Sequence, residues 1–117
     1  HPIQGWTPDF IPYVLQESVD RHFYDELIAV AGPEAIAWSR RLAAEEGIFT
    51  GISGGASLAV AMQVAQRAPE GSVICCMLPD TGERYLSTPL FEGVATDMTE
   101  EEAALSRSTP GFQLETA

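Results

Sequence analysis

The sequence has no lysine. All six cationic residues are arginines, at positions 21, 40, 41, 67, 84 and 107, and they face seventeen acidic residues, for a formal charge of −11. A chain so poor in positive charge is repelled by nucleic-acid phosphates and by anionic membranes, so neither is expected as a partner. Cysteine is nearly as scarce, with only Cys75 and Cys76 present. Neighbouring strand residues point to opposite faces, so the two cannot readily bridge each other. A disulfide scaffold is excluded, and a reducing, cytoplasmic compartment is expected. Both thiols read as small buried groups in a core strand. His1 and His22 have no partner at ligand spacing, so no metal site is expected. Long apolar runs are missing too: Val73 to Leu78 is the longest, and a membrane span needs about 20 residues.

What is present is one modest domain's worth of chain. The 117 residues are 45% hydrophobic and 20% charged, ordinary for a folded protein and too apolar for a disordered one. The first residues are His1-Pro2-Ile3-Gln4-Gly5, not a Met with a basic segment, which leads us to expect a piece of something longer or a processed product. Pro2, Gly5, Pro8 and Pro12 keep regular structure out of most of residues 1–12.

Beyond that, Val14 and Leu15 read as a short turn, and Tyr24 to Val30 as a strand. Gly32-Pro33-Glu34 is a helix entry: Pro33 has the fixed φ suited to a first helical position, and Glu34 places negative charge at the positive end of the dipole. Ala35, Trp38 and Leu42 form one apolar stripe, Arg40, Arg41, Glu45 and Glu46 can face water, and Gly47 supplies the stop. A short β-leaning stretch, Ile48 to Ile52, overlaps a glycine-rich turn, Gly51-Ile52-Ser53-Gly54-Gly55. Ala56 to Arg67 is apolar almost all round, as a buried helix is. Pro69-Glu70-Gly71 ends it, and Val73 to Leu78 reads as a strand buried on both faces of a parallel sheet. The alternation is α/β. Thr99 followed by Glu102 is a capping-box pattern opening a short acidic helix to about Ser106.

Two loops have the composition of a site. Thr50 to Ser57 joins a strand to a buried helix, where glycines admit close approach and free amides can receive a polar ligand atom. Its glycine spacing is not that of a dinucleotide site, and it has no Gly-Lys-Ser/Thr for a phosphate loop. Leu78 to Thr88 leaves the carboxyl end of the buried strand, the edge where open α/β sheets bind ligands. It is dense in Asp80, Thr81, Glu83, Arg84, Tyr85, Ser87 and Thr88.

Three segments together, Ile3-Gln4-Gly5 leading to Phe10-Ile11-Pro12, Gly51-Ile52-Ser53-Gly54-Gly55-Ala56 and Leu78-Pro79-Asp80-Thr81-Gly82-Glu83-Arg84-Tyr85-Leu86-Ser87-Thr88, resemble the last third of a cysteine synthase (O-acetylserine sulfhydrylase). The resemblance covers residues 1 to about 93 in family order and spacing, and leaves 94–117 as an acidic extension. It implies a segment of the tryptophan synthase β-like fold: three layers, a mostly parallel sheet with helices on both faces. It implies pyridoxal 5'-phosphate as cofactor, replacement of the acetate of O-acetylserine by sulfide, a small amino-acid substrate, a homodimer, and serine acetyltransferase as a partner.

By the same resemblance Ser53 matches the serine that hydrogen-bonds the cofactor's pyridine nitrogen. A neutral hydroxyl there does not hold the nitrogen protonated, which makes the ring a weaker electron sink. Gly5 matches a loop that approaches the substrate's amino group, and residues 79–85 match the wall at the cofactor's ring end. Two departures stand out: Gly54 replaces a second serine common in the family, and Trp6 and Asp9 make the first loop bulkier. The lysine that would form the Schiff base, the asparagine loop and the phosphate cup have no counterpart here, so the chain alone is not a complete catalyst. It reads as the carboxy-terminal part, with the lysine upstream. Cystathionine β-synthase, or another β-replacement enzyme, is the neighbouring reading. A non-catalytic interaction module built on the same fold segment is the reading from a different class.

Overall fold

A computed structural model describes residue 3 and residues 10–108. Among the described residues four α-helices follow one another: α1 (Tyr13–Asp20), α2 (Gly32–Glu46), α3 (Ile52–Arg67) and α4 (Glu100–Ser108), with 3-10 turns at Gly82–Tyr85 and Pro89–Phe91 between the last two. α2 forms as its sequence dictates. Pro33 lies in its first turn, and Gly47 ends it with a φ of 69°, a left-handed conformation that glycine adopts without strain. Its buried stripe is Ala35, Ser39 and Leu42.

α3 begins four residues earlier than its apolar run suggests. Ile52, Ser53, Gly54 and Gly55 are its first turn, and all four are buried with Ala56 and Ala59. The glycines serve a close helix crossing and do not form a turn ahead of the helix. A Cβ on Gly55 would lie 2.6 Å from the backbone nitrogen of Ser39 and closer still to the Ala35 carbonyl, so α2 and α3 touch backbone to backbone there. Ile3, Ala35, Ile52, Ala56 and Leu90 form the core cluster. Arg40 does not simply face water: it donates to the carbonyls of Pro89, Leu90 and Glu92 and so holds Leu90 in that core.

The strands expected at Tyr24 to Val30 and Val73 to Leu78 are not formed. Among the described residues the one β pairing is an isolated antiparallel bridge between Thr50 and Thr81. A strand exists only when a neighbour takes its N–H and C=O groups, and these two segments do not pair with each other. They flank instead a groove of about 560 Å³ whose lining includes Leu27, Val30, Val60, Val64, Ile74 and Met77. Arg67 at the end of α3 pairs with Glu26 at its rim. Leu27 is 88% and Val73 96% exposed. Cys75 is exposed and Cys76 half-buried, both free, so the expectation of two core thiols fails with the strand that was to bury them.

The surface is correspondingly large. The chain exposes 9687 Å², about one and a half times the roughly 6,200 Å² of a compact protein of this size. Its radius of gyration is 19.0 Å, against about 13 Å for a closed domain. No helix among the described residues is long and apolar enough to cross a membrane.

α4 is held by its own cap. The Thr99 N–H donates to Glu102 Oε2 at 2.7 Å, and the Glu102 N–H donates to Thr99 Oγ1 at 3.2 Å, the reciprocal pair of a capping box. The Thr99 backbone N–H holds the Glu102 carboxyl below its ordinary value of 4.5.

Two outcomes follow. The chain by itself self-associates through its uncovered apolar faces; sedimentation velocity over a dilution series checks this, and a monomer at all concentrations contradicts it. The second concerns pH. A carboxyl whose folded pKa is lowered stabilises above its unfolded value and loses that contribution as pH falls through the folded one. The first turn of α4 therefore frays on acidification below about pH 4.5, visible as amide and Cα shifts of residues 100–104 moving to coil values. Glu102→Ala frays it at every pH.

Candidate active-site wall

The site is built where the segment 79–85 crosses the amino end of α3. Ser39 on α2 donates its hydroxyl to the carbonyls of Thr50 at 2.9 Å and Gly51 at 3.3 Å, which fixes the strand-like entry to α3. Thr50 Oγ1 then donates to the Asp80 carbonyl at 3.1 Å, and the Gly51 N–H to the same oxygen at 3.3 Å. The Gly82 N–H returns a bond to the Phe49 carbonyl at 3.1 Å. These bonds make the single Thr50–Thr81 bridge rigid although no sheet surrounds it.

The side chains meet inside that frame. The Asp80 carboxylate accepts the Tyr85 hydroxyl at 2.5 Å and the Ser53 hydroxyl at 3.5 Å. Ser53 is 7% exposed. Because its proton is shared with Asp80, the Tyr85 phenol is held above its ordinary value of 10.0. Gly51 is required here for space: a Cβ on it would sit 3.0 Å from Asp80 Cγ and nearer to the Tyr85 ring.

Gly54 has its own partner. A Cβ there would lie 2.8 Å from Thr50 Cγ2 and nearer to Thr50 Oγ1. The volume of a second serine is thus already taken by Thr50, whose hydroxyl is engaged with Asp80.

Of the residues expected to carry function, Ser53 is placed in this cluster with the 79–85 wall beside it. Gly5, Trp6 and Asp9 lie outside the described residues. Sequence reasoning missed Ser39, and although Thr50, Asp80 and Tyr85 lie in the two loops it marked, it missed that they pair. Ser39 left a signal, a hydroxyl inside the apolar stripe of α2. The Asp80–Tyr85 contact left none beyond the density of polar residues in its loop.

The donor set fits the ring end of pyridoxal phosphate. A buried, neutral hydroxyl with one long internal contact sits on the first turn of a helix, where a pyridine nitrogen can be met without a competing cation. Nothing in the sequence supplies the amine that anchors such a cofactor.

Comparison with known proteins gives the family. The family model described as pyridoxal-phosphate dependent enzyme matches residues 2–80. The chain is 57% identical over 94 residues to an O-ureido-L-serine synthase of Streptomyces lavendulae, covering 80% of this chain and 28% of that protein. It is 47% identical over 91 residues to a probable cysteine synthase of Bacillus subtilis, covering 78% and 28%. A crystal structure of a mutant O-ureido-L-serine synthase with O-ureido-L-serine bound superposes with a TM-score of 0.76 at 53% identity, over 91% of this chain and 31% of that one. The chain thus spans about 28% of the length of the curated relatives it matches.

The Thr50–Gly54 fit gives a test. Gly54→Ser destabilises the chain by about 1–3 kcal/mol through overpacking, and Thr50→Ala relieves part of that cost. Urea unfolding of both single variants and the double variant at matched concentration measures the coupling. Simple additivity contradicts the clash.

Proposed function

Because this chain belongs to the pyridoxal-phosphate-dependent enzyme family, as a segment of its tryptophan synthase β-like fold, we propose that it supplies the ring-nitrogen wall of an enzyme that exchanges the β-substituent of a serine-derived amino acid. The single observation that carries this is Ser53, a buried neutral hydroxyl on the first turn of α3. The bound cofactor supplies an electron-accepting ring that lets a substituent leave the amino acid's β-carbon.

The chain's own residues hold and enclose. Ser53 would meet the pyridine nitrogen. Gly51 and Gly54 leave room for Asp80, Tyr85 and Thr50 against the first turn of α3. Asp80 and Tyr85, bonded to each other, would wall off that end of the ring. The absence of lysine assigns the covalent anchor to polypeptide beyond this segment, and the large uncovered surface supports a further body of protein packing on it.

Cysteine synthase chemistry, with O-acetylserine as donor and sulfide as acceptor, is the reading supported by the three motifs and by the Bacillus subtilis relative. A second reading has a specific observation behind it: the higher identity to O-ureido-L-serine synthase supports an acceptor that joins through a ureido-bearing oxygen. A homodimer and a serine acetyltransferase partner rest on the family resemblance alone.

The experiment uses the polypeptide that carries this chain together with its lysine-bearing part. Incubated with O-acetylserine and either sulfide or hydroxyurea, it yields L-cysteine or O-ureido-L-serine, and the ratio of the two rates assigns the acceptor. Dominant turnover of serine with homocysteine moves the assignment to a cystathionine β-synthase. A protein that binds no cofactor is an interaction module. Ser53→Ala lowers kcat/KM about tenfold, the loss of about 1.4 kcal/mol from one hydrogen bond to a polar ring atom.

A further inference from the structure

We propose that Tyr85 is a positioning residue that guards the donor role of Ser53: by occupying the Asp80 carboxylate it keeps that carboxylate from taking the serine's proton, which stays available to the cofactor's ring nitrogen. The inference rests on the reading that Ser53 meets the ring. It adds that the direction of the serine's hydroxyl is set from the 79–85 wall and not by α3 alone.

A serine hydroxyl has one proton, and two acceptors compete for it here: Asp80 Oδ1 and the nitrogen that a bound ring would present. A free carboxylate wins such a contest, because a charged acceptor makes a bond roughly twice as strong as a neutral one. This carboxylate is not free. Tyr85 donates to Asp80 Oδ2 at 2.5 Å, while Ser53 stands 3.5 Å from Oδ1. A hydroxyl bond to oxygen spans about 2.5–3.0 Å, so the tyrosine holds the carboxylate and the serine is not committed to it. Were Ser53 to turn to Asp80, its oxygen would show the ring only lone pairs and draw the nitrogen toward its protonated form.

Tyr85 is fixed for that task. Its ring lies against the first turn of α3, where a Cβ on Gly51 would run into it, and it packs against the core cluster. Its carbonyl accepts the Thr88 N–H at 2.9 Å and the Thr88 hydroxyl at 2.6 Å, and the same hydroxyl oxygen accepts the Leu90 N–H at 3.3 Å. Leu90 is buried, so one turn ties the tyrosine to the core. The phenol remains a donor, since its bond to Asp80 is the main cause that holds it above the ordinary range. Opposite, Thr50 Oγ1 and the Gly51 N–H hold the Asp80 carbonyl, which keeps the carboxylate beside both hydroxyls.

The test reads the ring nitrogen. The polypeptide that carries this chain together with its lysine-bearing part is loaded with pyridoxal phosphate labelled with nitrogen-15 in the ring and examined by NMR. The wild type gives the signal of an unprotonated, hydrogen-bonded pyridine. Tyr85→Phe keeps the aromatic ring and removes only the hydroxyl. The freed carboxylate then takes the Ser53 proton, and the signal moves toward the pyridinium position by most of the separation between the two forms. Adding Asp80→Ala to Tyr85→Phe removes the competing acceptor and returns the signal to its wild-type place, which loosened packing alone would not do.

A Tyr85→Phe signal that stays with the wild type overturns the proposal, as does a double variant whose signal stays displaced or a wild type already at the pyridinium position. Failure of the underlying reading looks different. Either no cofactor is retained, or Ser53→Ala leaves the ring-nitrogen signal where it was, and in both cases the role of Tyr85 falls with it.

Discussion

The clasp between residue 80 and the amino end of α3 is the constraint on which the site depends. One peptide carbonyl takes bonds from the Thr50 hydroxyl and the Gly51 N–H, and the carboxylate of the same residue takes Tyr85 and Ser53. The contacts to Thr50, Gly51 and Ser53 join residues about thirty positions apart without a sheet among the described residues. They explain why the first turn of α3 is glycine-rich. Backbone and small hydroxyls must fit between α2 on one side and the 79–85 wall on the other, and a side chain at 51, 54 or 55 would push into Asp80, Thr50 or the α2 backbone.

The rest of the chain is arranged around that clasp with unequal completeness. The side of α3 that faces α2 is packed, with Ala35, Ile52 and Ala56 buried and Arg40 drawing the 89–92 turn inward. The side that faces residues 26–30 and 74–77 is an open apolar groove. Hydrophobic burial is the main favourable term in folding, so an exposed groove of this composition belongs to a surface made to be covered. This is the physical counterpart of the short span shared with the curated relatives. The 79–85 wall is formed locally, from contacts within the chain's own residues.

Local chemistry was legible. Pro33 and Gly47 marked the ends of α2, and Thr99 with Glu102 marked the start of α4, because capping is written in residues three or four apart. The glycine motif around Ser53 reads as a turn in the sequence and is the first turn of α3 in the structure. Glycine's permissiveness suits both a turn and a close helix crossing, and sequence does not say which. Residues 24–30 and 73–78 have strand composition but form no ladder, since pairing depends on neighbours that composition does not contain.

The sequence by itself determined the charge balance, the absence of lysine, the helix limits set by caps and the glycine-flanked serine at position 53, because each depends on residue identity or short spacing. Only the tertiary structure decided that Asp80 stands behind Ser53, that Thr50 fills the space a second serine would use, and that Arg40 holds the 89–92 turn. Those pairings are set by how helices and loops approach each other in space, and backbone distance along the chain carries no record of it.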